Sequence, residues 1–363
     1  MKKYAYWFSN IKGLSTSKKN AIHKMGFTAE EVYSMSENRL GSITLLSKED
    51  VEAITESKRT WAVDKAWITL MEKGIGFVSV EDDEFPDRLR DIPMAPYSLY
   101  YIGNLPDEEL KSIAIVGARG RSAYGSEVTG ALAQSLSKHG VQIISGLAKG
   151  IDTDAHSGAL EGGTPTFAVL GCGVDVCYPT SNRYLYQKIL EEGGGILSEH
   201  PPGTQPIACY FPTRNRIIAG LSEVVAVMEA RIKSGSLITA EFAMDQGKDV
   251  YVLPGRITDP LSMGCNRLIS QGAGIIESVD DFLLQMQIVT GEKTQQLDFY
   301  QNLLEKDERI VYSQIDFAPK GLGILMDKTE LSFDRLLEII SNLTAMGMIK
   351  ETFPNHYIRT YKG

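Results

Sequence analysis

Cysteine and histidine are scarce in this chain of 363 residues, at four and five respectively. Cys172, Cys177, Cys209 and Cys265 form no C-x-x-C pair and the histidines are scattered. No zinc-site spacing is therefore present, and reduced, buried thiols are expected. Long apolar runs are also missing, and none approaches the roughly 20 residues that span a bilayer. The opening "MKKYAYWFSN" has too few apolar residues before Ser9 and Asn10 for a secretory core. A cytoplasmic protein is expected. Neither G-x-G-x-x-G nor a P-loop occurs, so a dinucleotide is unsupported, ATP hydrolysis lacks its lysine, and no cofactor is expected.

Positive charge is in deficit overall, with a net charge of -9. Its distribution matters more than its sum. Residues 76–110 carry nine acids and two bases, and residues 276–308 eight acids and two bases, so these two segments hold more than the whole excess. Residues 1–75 are +3, 111–160 are +2 and 205–275 are +1. Local basic patches, and hence a polyanionic partner, are not excluded.

Between 113 and 278 short apolar runs alternate with helical stretches: "IAIVG", "VQIIS", "TFAVLG", "GILSE", "VVAVM", "VYVLP" and "GIIES". Continuous apolar runs are expected of strands covered on both faces, which predicts an α/β fold with a doubly wound, Rossmann-like parallel sheet over residues 76–290. Residues 1–72 read as a small helical domain, either a helix-hairpin-helix or sterile-alpha-motif-like module or a plain helical interaction domain. After an acidic connector near 285–308, residues 298–363 read as three helices, a strand, a Pro-Asn turn and a strand, the outline of a winged helix. Its recognition-helix candidate carries Asp334 and Glu338 against Arg335, a poor surface for phosphates, so a protein-contact or regulatory role is expected.

In a parallel sheet, ligands sit beyond the carboxyl ends of the strands. The loops there contain "GARGRSAYG", with Gly117, Arg119 and Ser122, and "SGLAKGIDTDAH", with Ser145, Gly146 and Lys149. "EARIKSGSLITAE" adds Lys233, Ser234, Gly235 and Ser236 at a helix start. "FPTRNRIIAG" places Arg214, Asn215 and Arg216 just after Phe211 and Pro212. With Thr213 as N-cap, both arginines would fall in the first helical turn, where the helix dipole disfavours cations unless an anion is held there. The alternative is a pair of surface arginines matched to nearby carboxylates. Convergence of several such loops on one sheet edge favours an anion site, with Phe211 offering a face on which a base stacks. Asp152 and His156, spaced i, i+4, lack a third ligand or a nucleophile, and a capping role for "DTDAH" is expected. Tyr178, Pro179 and Tyr184 are expected at the crevice rim.

Together, "AIVGARGRSAYG", "SGLAKGIDTDAHSGAL", "VLGCGVDVCYPTSNRYLY", "SEHPPG", "FPTRNRIIAGLS", "KSGSLITAEFAMDQGKDVYVLPG" and "GCNRLISQGA" resemble the DNA-processing protein A (DprA/Smf) family over about residues 76–278. The resemblance implies a non-enzymatic protein of natural transformation that dimerises, protects incoming single-stranded DNA and loads RecA recombinase onto it. "GIIESVDDFLLQM" offers a sheet edge and Ile276, Phe282 and Leu283 for a homodimer contact. A competing reading is a nucleotide-binding or nucleotide-hydrolysing protein of the lysine-decarboxylase-like group, whose motif is P-G-G-x-G-T-x-x-E. In "KSGSLITAE", Gly235 and Glu241 keep their places, while Lys233, Ser234, Leu237 and Ile238 replace the rest of the signature.

Overall fold

The computed structural model describes residues 2–289, 304–317, 319–329 and 331–360. Most of the acidic connector and the start of the expected third domain at 298 lie outside them. Six short helices open the chain: α1 (Lys2–Ser9), α2 (Thr16–Lys24), α3 (Ala29–Ser34), α4 (Glu37–Gly41), α5 (Lys48–Thr60) and α6 (Val63–Glu72). Each of α2 to α5 begins on a Ser or Thr whose hydroxyl accepts a first-turn N–H, as N-caps do. A glycine at φ 85°, Gly13, makes the turn between α1 and α2. This bundle is not insulated from the sheet domain: Tyr6 packs against Phe77 and Tyr100, and Phe8 against Tyr97, in one continuous apolar cluster.

The middle of the chain is a nine-stranded sheet. Its strands are β1 (Gly76–Ser79), β2 (Ser98–Gly103), β3 (Ser112–Val116), β4 (Gln142–Ser145), β5 (Thr166–Val169), β6 (Gly195–Ser198), β7 (Val224–Val227), β8 (Asp249–Val252) and β9 (Gly274–Ile275). The spatial order is β1-β2-β6-β5-β4-β3-β7-β8-β9, parallel from β6 to β9, with β2 and β1 added antiparallel. All seven strands expected from the apolar runs are present.

Strand alternation sorts their side chains into two cores. Ile113, Ile115, Ile143 and Ala226 face one side, covered by α7 (Ala123–Lys138), α8 (Ile151–Gly162) and, further along the chain, α13 (Val279–Gln285). Ala114, Val116, Ile144 and Val225 face the other. There α9 (Arg183–Glu191), α10 (Tyr210–Gly220), α11 (Gly235–Asp245) and α12 (Met263–Ser270) join the amino-terminal helices. The sheet is therefore doubly wound. After β6 the chain returns to the far side of β3 to lay down β7, which makes the gap between β3 and β7 the topological switch point.

The carboxyl-terminal segment comprises α14 (Lys306–Gln314), β10 (Lys320–Gly321), α15 (Leu322–Thr329), α16 (Phe333–Ala345), β11 (Ile349–Phe353) and β12 (His356–Arg359). The three strands form a small antiparallel sheet in the order β10-β12-β11, giving a winged helix with its own apolar core. Lys350 of β11 pairs with Glu127 of α7, and the rings of Phe317 and Tyr124 lie 5.3 Å apart. No helix among the described residues is long and apolar enough to cross a membrane. Ile276, Phe282 and Leu283, offered by the sequence for a homodimer contact, are buried in the chain's own core and are not available to a second copy.

Candidate nucleic-acid interface

The loops leaving β3 and β7 at the switch point frame a crevice of about 630 Å³. Gly117 opens the first loop, where a Cβ would come within 2.6 Å of Ile151 and drive back the start of α8. Arg119 follows, exposed, its guanidinium 5.8 Å from the centre of the Phe211 ring. Ser122 then caps α7 by accepting from the Gly125 N–H at 3.0 Å.

Glu229, just after β7, is the residue that sequence reasoning missed. Its buried carboxylate accepts from both the hydroxyl and the N–H of Ser122 and so ties the first loop to the last. Burial pushes its pKa up, against the Ser122 bonds. Its signal was a lone acid directly following an all-apolar strand, where an unpaired carboxylate would be costly.

The helix bearing "FPTRNR" begins earlier than its sequence suggests. α10 starts at Tyr210, and Thr213 is no cap: its hydroxyl donates to the Tyr210 carbonyl at 3.0 Å. Pro212 is the third helical residue, where a missing N–H costs nothing because first-turn N–H groups have no intrahelical acceptor. Arg214 and Arg216 therefore sit in the second turn, outside the strongest field of the dipole. They also diverge, as residues two apart on a helix must. Arg216 is buried away from the crevice, paired with Glu199 and donating to the carbonyls of Met94 at 2.8 Å and Thr213 at 3.0 Å. This arginine has the carboxylate partner of the alternative reading, but in the interior rather than at the surface.

Arg214 lines the crevice although only 6% of it is exposed. Its Nη1 donates to the carbonyls of Gly146 and Val169, and its Nε to Asn215 Oδ1 at 3.2 Å. Nη2 has no protein acceptor among the described residues. Burial lowers its pKa to about 10, opposed by the charge of Asp152, so the guanidinium stays protonated at neutral pH. Gly146 lies flat against it, since a Cβ there would stand 2.6 Å from Nη2. Asp152, the one acidic residue lining the crevice, accepts the N–H groups of Gly146 and Ala148 at 3.2 Å each. It thus holds the second loop in shape while facing Arg214.

On the opposite wall α11 begins at Gly235, capped by Ser234, whose hydroxyl also meets that of Ser236 at 2.8 Å. The Gly235 N–H has no acceptor among the described residues and opens on the crevice with Ser234 and Ser236. Asn215 Nδ2 donates to the Gly235 carbonyl at 3.1 Å and fixes α10 against this helix start. Tyr178 completes an aromatic wall, its ring 5.4 Å from that of Phe211 and tilted by 42°. A smaller cavity of about 210 Å³ adjoins it, where Lys149 and Gly146 meet Arg119, Phe211, Arg214 and Pro179.

The remaining candidates lie elsewhere. Ser145 is wholly buried and spends its hydroxyl on the Ile115 carbonyl at 2.6 Å, bracing β4 against β3. Ser122 is committed to Glu229. Lys233 lines a neighbouring groove of about 600 Å³ with Arg267 and Glu241, on the far side of the α11 start. Tyr184 is exposed beside Lys188 and lines neither cavity of the crevice. His156 is buried with Nδ1 at 2.8 Å from the Thr166 hydroxyl, and burial together with Arg214 pushes its pKa down to about 3. Among the described residues no group of three or more His, Cys, Asp or Glu side chains could hold a metal.

With Arg119, Lys149 and Arg214 against Asp152, a free helix start and two rings, this arrangement can hold phosphates and stack a planar base. Known proteins supply an independent comparison. Residues 76–287 match the family model described as DNA recombination-mediator protein A. The chain is 44% identical over 230 residues to the DNA processing protein DprA of Streptococcus pneumoniae, covering 63% of this chain and 81% of that one. It is 38% identical over 288 residues to protein Smf of Synechocystis, covering 78% and 72%. The X-ray structure of the S. pneumoniae protein superposes with a TM-score of 0.68 at 37% identity, over 78% of this chain and 98% of that one. A structure of DNA processing protein A from Helicobacter pylori, described as giving insight into its single-stranded DNA binding mode, superposes with a TM-score of 0.52 at 33% identity, over 58% and 95%.

Proposed function

The chain belongs to the DNA recombination-mediator protein A family, and on that premise we propose that it binds and protects single-stranded DNA in the crevice at the β3/β7 switch point. One observation carries the reading. A buried arginine with an unused Nη2, an exposed arginine, an open helix start and an aromatic pair share one cavity. Cations from different loops meet successive phosphates, while Phe211 and Tyr178 accept bases of any sequence. A duplex keeps its bases stacked inside and cannot use the rings.

Loading of RecA recombinase onto the bound strand during natural transformation, by a cytoplasmic, non-enzymatic homodimer, completes the proposal. The mediator role in the family's description and the resemblance of the motifs support it. Since Ile276, Phe282 and Leu283 are internal, a dimer would use the open edge of β9, where Ile275 is exposed. The hydrolase alternative gains nothing from the geometry. Glu241, the acid it would retain, lines the groove with Lys233 rather than the crevice.

The test is fluorescence anisotropy over a salt titration, with single-stranded and duplex DNA of equal length. Preferential binding of the single strand, lost on Phe211→Ala, is expected. Equal affinity for both forms overturns the reading.

A further inference from the structure

A second cavity, of about 470 Å³, lies between the amino-terminal bundle and the segment that follows β6. Its origin is the amphipathicity of α6. Val63 and Leu70 are buried and Trp67 packs 5.9 Å from Tyr6, while Lys65, Thr69 and, just past the helix end, Lys73 form one exposed row at i, i+4 spacing. Neither lysine has an ion-pair partner among the described residues. Of the acids adjacent in sequence, Asp64 is engaged with Lys3 at 2.7 Å, and Glu72, next to Lys73, is exposed but does not line the cavity. No carboxylate lines the cavity, while Trp61 and Tyr6 supply rings and Pro201-Pro202 form the facing wall.

That wall links the two cavities. Pro201 and Pro202 begin the segment that leads from β6 into α10, and four residues further on Pro206, then Ala208, line the crevice. One chain segment, from Pro201 to Ala208, thus borders both cavities. We propose that the groove between α6 and Pro201-Pro202 is a second contact for the same single-stranded nucleic acid, with Lys65 and Lys73 on backbone phosphates and Trp61 offering a face to a base. The inference rests on the crevice reading above. Unpaired cations with interleaved rings, and continuity with the crevice, favour this occupant over an acidic peptide.

The test uses the full chain and oligothymidylates of about 5 and about 16 nucleotides, the range of single-strand site sizes. Lys65→Ala/Lys73→Ala is compared with Lys24→Ala/Lys48→Ala, an equal charge change at exposed lysines outside the groove. The first pair should flatten the log-affinity against log-salt slope for the longer strand by about 1.4, at about 0.7 per phosphate. It should leave the short strand, and the control pair should leave both, at wild-type values. An unchanged slope for the longer strand overturns the proposal and leaves the groove to a peptide. Equal weakening of both lengths overturns it too, because the lysines would then act without a site of their own. Failure of the crevice reading looks different: Arg119→Ala would leave both strands at wild-type affinity and slope.

Discussion

Arg119 and Phe211 approach each other across the mouth of the crevice, and a double-mutant cycle on them separates charge from stacking. The guanidinium lies 5.8 Å from the ring centre, a cation–π contact worth about 0.5–1 kcal/mol at an exposed site. Loss of a base stack on Phe211 costs about 1–3 kcal/mol, so Phe211→Ala should raise Kd by about 5- to 150-fold. Because no charge is removed, the salt slope should hardly move. Arg119→Ala should instead flatten it by about 0.7, a change of about 2.6-fold in relative affinity between 50 and 200 mM salt. The ring orients the guanidinium, so the two losses should not add, and the cycle should return a coupling of about 0.5–1 kcal/mol. Anisotropy at several salt concentrations measures all four proteins, with thermal unfolding to confirm that each is folded. A Phe211→Ala variant that flattens the slope as Arg119→Ala does would refute the assignment of separate roles, and two strictly additive losses would refute the orienting contact between them.

Gly146→Ala places a methyl against the Arg214 guanidinium, which two carbonyls hold in place. It should cost about 1–3 kcal/mol of stability by overpacking and weaken single-strand binding, as read by chemical denaturation and anisotropy. Deletion of residues 304–363 should leave single-strand affinity unchanged, because the one base of α16, Arg335, is taken up by Glu338 at 2.8 Å and Glu305 at 3.2 Å. A large loss would reassign DNA contact to the winged helix. His156 predicts a pH effect. Its folded pKa of about 3 lies below the usual 6.5, so between these values the unfolded chain holds the extra proton, and stability falls as pH is lowered. Urea unfolding should show this group's share, about 1.4 kcal/mol per pH unit, disappear from that window in His156→Gln.

The sheet was legible in the sequence because strands covered on both faces are apolar in nearly continuous runs, as "IAIVG" and "VVAVM" are. The loops that carry the crevice followed from strand order and the position of the carboxyl ends. Side-chain direction did not follow from residue type. Ser145 and Ser122 have the chemistry of anion ligands, yet one bonds a neighbouring strand and the other a buried glutamate. The start of α10 was hidden because Cys209 makes no side-chain cap and Pro212 is tolerated inside the first turn. The divergence of Arg214 and Arg216 could have been read from their spacing alone, since i and i+2 do not share a helical face. Lys233 precedes Ser234 by one residue, yet Ser234 at the helix start borders both the crevice and the neighbouring groove while Lys233 lines the groove alone.

Photocrosslinking of single-stranded DNA carrying 5-iododeoxyuridine, followed by mass spectrometry of the joined peptides, tests the central claim most directly, because the probe reacts with rings stacked on the base. Adducts at Phe211 or Tyr178, competed by unlabelled single strands and not by duplex, are the predicted result. Adducts confined to the winged helix, with none in the crevice, would contradict it.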